Sequence, residues 1–214
     1  MANRSTSGFG LRAAMKLGNS PAISGQSKYA IKSGLSVGIF KGNPASIQLA
    51  GDTGYIQDSA FSTTDDGNDG GIDFTTANDA LLVGVHNGAF FIDGTTSKPT
   101  FANSVAASTT FGTNPNTNST DGVAFVNDDP DQEYVVKADA AVGQAIFGLC
   151  GNINDFAAGD AKDGASTATF DSGAQAETKM FRIVRSAEDP DNEDLTVPGA
   201  NIIVVINAAA NTYR

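Results

Sequence analysis

From Val37 onward the apolar residues of this chain fall in runs of strand length, each closed off by Gly, Pro, Asn or Asp. An amphipathic helix needs apolar positions recurring every three or four residues over ten or more, and these runs stop too soon for that. Candidate strands cover 37–40, 46–49, 54–57, 81–85, 89–92, 122–126, 133–138, 165–170, 179–185 and 201–206. Segments 133–138 and 179–185 alternate polar and apolar in places, as half-buried strands do, whereas 201–206 is apolar on both faces and belongs at the centre of a sheet. Between 81–85 and 89–92 lies His86-Asn87-Gly88, whose Asn-Gly pair supplies the positive φ angles of a tight hairpin turn. The expected fold class is therefore mainly β, a single β-sandwich or barrel-like body over 35–214 with an extended N-terminal arm over 1–34. Residues 62–71 and 108–121, poor in apolar side chains, read as long exposed loops, and a subdivision of the body near 110–120 is the alternative.

Charge divides the chain as sharply as hydropathy does. Before Asp52 lie Arg4, Arg12, Lys16, Lys28, Lys32 and Lys41 with no carboxylate, and the remaining seven Lys/Arg face all 24 Asp/Glu, giving +6 and −17. The basic segment is rich in Ser, Gly and Asn, with apolar periodicity limited to Phe9, Leu11 and Met15, and reads as an arm that orders on docking. A short helix over 11–17 would be marginal without a partner. Six cations spread over 41 residues is a thin density for nucleic acid, and a body of −17 would be repelled by phosphates. Docking on an acidic protein surface fits better, through Arg4, Phe9, Leu11, Arg12, Met15, Lys16, Lys28, Lys32 and Lys41.

Chemistry-bearing constellations are sparse. His86 is the one histidine, and at its position a turn-flanking role is favoured over catalysis. There is no Gly-x-Ser-x-Gly elbow, Walker loop or dinucleotide fingerprint, so no catalytic residue and no cofactor are expected. Cys150 sits alone in an apolar run and reads as a buried thiol. The Asp-rich segments 65–73, 128–131 and 189–194 fail the EF-hand register: from Asp66 the fifth position is Gly70, and from Asp189 the sixth is Asp194. Solvated turn carboxylates are the default there, with an irregular Ca²⁺ site as the alternative. The N-terminus has no apolar signal core and no stretch approaches the roughly 18 apolar residues of a membrane-spanning helix. A chain made and used without crossing a membrane by itself is expected.

Three stretches carry a resemblance: Met1-Ala-Asn-Arg-Ser-Thr-Ser-Gly-Phe-Gly-Leu-Arg-Ala, Leu81-Leu-Val-Gly-Val-His-Asn-Gly-Ala-Phe-Phe-Ile-Asp with Thr95-Thr-Ser-Lys-Pro-Thr-Phe-Ala-Asn, and Asn127-Asp-Asp-Pro-Asp-Gln-Glu-Tyr. The chain resembles virion structural proteins of tailed phages, marine ones especially, of the capsid decoration or cement type. The resemblance implies a β-rich, non-enzymatic body on the outer surface of the head, synthesised in the host cytoplasm. It implies the major capsid protein as partner, an arm lying across that protein, and self-association as a trimer or other oligomer. Neither nucleic acid nor membrane is an expected partner. The alternatives are another virion component, such as a head fibre base or tail protein, and a carbohydrate- or host-surface-binding β-module with Phe90, Phe91 and Tyr55 as platform aromatics.

Overall fold

The computed structural model describes residues 3–18, 20–21, 25–47, 54–58, 82–154, 159–173, 175, 177 and 179–208. The predicted loop at 62–71 and the Asp-rich segment 65–73 lie outside them. The described chain is mainly β. In order, its strands are β1 (Arg12–Lys16), β2 (Ser20–Pro21), β3 (Ser27–Ile31), β4 (Ile39–Phe40), β5 (Pro44–Ile47), β6 (Ile56–Asp58), β7 (Leu82–Ile92), β8 (Pro99–Ala102) and β9 (Ser104–Val105). They continue as β10 (Gly122–Asn127), β11 (Gln132–Lys137), β12 (Cys150–Gly151), β13 (Ile153–Asn154), β14 (Gly159–Asp160), β15 (Ala165–Ser166), β16 (Thr169–Phe170), β17 (Phe181–Ser186) and β18 (Asn201–Ile206).

Two six-stranded antiparallel sheets carry the fold. The first runs β12-β17-β18-β11-β1-β2 and the second β3-β10-β7-β5-β6, with β8 also on β7. The second sheet curls so that its end strands β3 and β6 approach each other. A core cluster with residues from all five strands of that path, among them Ile31, Ala45, Ile56, Phe91 and Val126, belongs to this sheet. The larger cluster joins Tyr134, Val136, Phe181, Ile202 and Val204 of the first sheet to Leu82 and Val85 of the second, so the sheets share one core. As its sequence predicts, β18 is interior to the first sheet and all six of its residues are buried.

The chain passes from the first sheet to the second between β2 and β3, and returns to the first at the acidic turn between β10 and β11. Residues 108–121 are mostly exposed, but Phe111 is buried, stacks on Phe91 with ring centroids 4.7 Å apart, and donates its N–H to the Ser33 hydroxyl oxygen at 2.8 Å. One aromatic side chain thus pins an otherwise polar loop. The predicted strand at 165–170 is broken into β15 and β16, which pair with β14 and β13.

The expected hairpin does not form. Residues 82–92 make one strand, and its two halves find different neighbours: β5 beside Leu82–Val85, β8 beside Ala89–Ile92, and β10 along the opposite edge. Phe125 faces Gly88 and Val126 faces His86, leaving Asn87 as the extra residue of a β-bulge in which Gly88 adopts φ +136°. The positive φ offered by Asn-Gly is used to kink the strand, and burying both apolar halves in one sheet outweighs the local turn preference.

Candidate docking surface

The N-terminal segment is woven into the body and does not stand apart as an arm. Arg12 pairs with Val135 and Ala13 with Tyr134, so β1 extends the first sheet beside β11, and no helix forms over 11–17. Upstream, the Gly10 N–H donates to Ala168 O and the Leu11 N–H to Gly42 O, both within 3.0 Å. Leu11 itself is 3% exposed and belongs to the main core cluster. Residues 3–5 clasp the acidic loop that precedes β18. The Asn3 amide donates to Asp194 O and Pro198 O at 3.0 Å, the Asp194 N–H donates back to Asn3 Oδ1, and Lys137 Nζ donates to Ser5 O at 2.7 Å. A sheet edge and a carboxylate-rich loop give the polar segment the hydrogen bonds that its own sequence cannot supply.

The predicted docking residues are therefore dispersed. Arg4 forms an exposed ion pair with Asp191 at 2.9 Å, and Lys16 pairs with Asp129. Phe9 is half-buried, with the Arg12 guanidinium 4.2 Å from its ring centroid and the Lys137 ammonium 5.7 Å from it. Leu11, being in the core, cannot anchor a partner. Lys28 lies exposed on β3 and Lys32 exposed just beyond it, on the second sheet, while Lys41 sits where its backbone bridges Ala165. Arg12 and Met15 of the predicted set are exposed together on β1.

That strand is the most partner-ready surface of the basic segment. β2 covers it only at Met15 and Lys16, so its outer edge is unpaired among the described residues from Arg12 to Ala14. Met15 is 47% and Leu17 39% exposed, and among the described residues only Phe101 and Leu149 are other large apolar side chains left so open. Apolar side chains flanked by a guanidinium, on a basic chain segment without carboxylates, suit an acidic protein surface with apolar pockets.

The described acidic loops are occupied by their own turns. Asp129 accepts the Asp131 N–H and pairs with Lys16, while Asp189 accepts from the Asp191 N–H and from the Asn192 and Asn201 amides. These donors, the Asp191 N–H foremost, hold the Asp189 carboxyl below the usual range. Hydrogen bonds from the Thr196 hydroxyl and N–H bring Asp194 down to about 2. Among the described residues no three His, Cys, Asp or Glu side chains gather as a metal site would require. Cys150 is buried, and burial raises its thiol pKa.

His86 is a buried mid-strand residue, not a turn residue. It is 1% exposed, and neither ring nitrogen has a hydrogen-bond partner among the described residues. Asn43, which contributes backbone bonds to the same strand at His86, is likewise buried with an unpartnered amide. Of the platform aromatics, Phe91 is buried at 7%, the Tyr55 hydroxyl donates to Asp121 at 3.2 Å, and Phe90 lies beneath Phe101. Phe101, which the sequence analysis passed over, is 75% exposed. The available signal was a lone Phe inside the polar stretch 95–103.

Compared with known proteins, this chain matches no family model, no curated protein and no solved structure.

Proposed function

We propose that this chain is a non-enzymatic virion structural protein, a capsid decoration protein that binds the outer surface of a phage head and bridges capsid subunits. The observation that carries the reading is β1: an unpaired, basic strand edge with Met15 and Leu17 exposed on an otherwise acidic molecule. Its partner is the major capsid protein, met through β1 and the adjoining Arg12–Phe9 stack and not through a free arm. Because the N-terminal segment is already ordered, docking loses less conformational entropy than folding on contact would. Attachment that spans neighbouring subunits adds binding free energy only to the assembled shell, and so stabilises it by mass action. Self-association of the decoration protein at symmetry points would multiply that effect. The acidic remainder, directed outward, keeps particles dispersed and repels nucleic acid.

Co-sedimentation with undecorated heads tests the reading. Met15→Asp and Arg12→Glu, both at exposed positions, are each expected to weaken binding by about tenfold or more, and wild-type binding should fall between about 0.05 and about 0.5 M salt. Undiminished binding by the double variant would remove β1 as the docking edge.

A further inference from the structure

The bulge in β7 shapes a second surface that the docking edge does not use. Beside it lies an open groove of about 300 Å³, lined by Asn87, Gly88, Phe101, Asn103 and Phe125 among others. That volume is at the lower end of the range that holds a small molecule. Phe101 forms one wall and is 75% exposed; Phe90 supports it from below, with ring centroids 4.7 Å apart and planes tilted by 46°. A phenyl ring so exposed and so braced is a flat apolar platform held in one place.

Polar groups converge on the same space. Asn87 is the bulged residue without an opposite number on β10, and its amide has no hydrogen-bond partner among the described residues. Asn103 uses its NH₂ group on Asp163 O at 3.0 Å, which fixes the side chain and leaves its carbonyl oxygen to accept. Among the described residues no ionisable side chain lines the groove. One aromatic face, an amide that donates and accepts, and a fixed carbonyl acceptor match a ligand with an apolar face and a rim of hydroxyls.

We propose that this groove binds a neutral pyranose sugar, the C–H face of the ring stacked on Phe101 and its hydroxyls hydrogen-bonded to the Asn87 and Asn103 amides. Binding here stands independently of capsid attachment, since β1 lies in the other sheet. The test is saturation-transfer NMR on the full chain with maltohexaose, cellohexaose and mannohexaose as neutral probes, and sialyllactose as a charged one. At least one neutral probe is expected to show transfer, with a dissociation constant near about a millimolar. Phe101→Ala should weaken that binding by about tenfold, and Asn87→Ala by about threefold or more, while Leu149→Ala, an exposed apolar change outside the groove, leaves it unaltered. Absence of transfer from all three neutral probes, transfer from sialyllactose alone, or equal binding by Phe101→Ala would each overturn the proposal.

Discussion

Acidification from about pH 6.5 to about pH 3 is expected to lower the folding stability of this protein by roughly 4 kcal/mol, and His86 is the principal cause. Burial takes the His86 imidazole down to about 3 from an ordinary 6.5, because a charged ring there would lose its hydration and find no acceptor. Above the unfolded value neither state is protonated and stability is at its full level. Between the two values the unfolded chain binds a proton that the folded chain refuses, so stability falls with pH by up to about 1.4 kcal/mol per unit. Asp189 and Asp194, whose pKa values are depressed, act in the same direction at the acid end of the window. Urea denaturation at a series of pH values measures the slope. His86→Leu should flatten it while costing little at neutral pH, since the ring nitrogens it removes are unpartnered. Identical slopes in wild type and variant would show that His86 does not control acid stability.

The second large effect concerns Gly84, near the start of β7 opposite Ala45. A Cβ built there would lie 2.0 Å from the Asn127 carbonyl oxygen and 2.9 Å from the Asp128 Cα, all backbone atoms that no side-chain rotation can clear. The same carbonyl accepts the hydrogen bond of the buried Tyr134 hydroxyl at 3.1 Å. That hydroxyl is so thoroughly desolvated that its pKa is raised far above its ordinary value, and without the carbonyl it would be left buried and unpaired. Gly84→Ala therefore pushes on the point where the chain passes from the second sheet to the first. A loss of about 3 kcal/mol or more is expected, from overpacking together with the broken bond. Thermal unfolding of Gly84→Ala beside Tyr134→Phe resolves the two parts: the phenylalanine variant should lose about 1 kcal/mol, and a Gly84→Ala loss no larger than that would contradict the close approach.

Legibility in the sequence followed how local each determinant is. The strand β18 could be read because Ile202–Ile206 is an unbroken apolar run that only an interior strand can bury. His86-Asn87-Gly88 misled because a hairpin turn and a bulge ask for the same positive φ, and which one forms depends on β5, β8 and β10, distant in sequence. The N-terminal segment looked free for a related reason: its core anchors, Leu11 and Ile31, stand too far apart to show a period, and the strand that orders its first part, β11, lies more than a hundred residues away, as the 117-residue separation of Met15 and Gln132 shows. Ion pairs of Arg4 with Asp191 and Lys16 with Asp129 had the same invisibility, so a surplus of cations passed for a binding patch when part of it is neutralised within the molecule. Arg12 and Met15 stand exposed on β1, and Phe101 drew no notice because one aromatic among threonines has no period to reveal it.

Cryo-electron microscopy of the native assembly that carries this chain tests the central claim most directly. The account predicts density for the two-sheet body on the outer face of a head shell, with β1, Met15 and Leu17 turned toward the capsid subunits and the acidic surface outward. Density confined to a tail or fibre, or a shell contact made through any face other than β1, would contradict it.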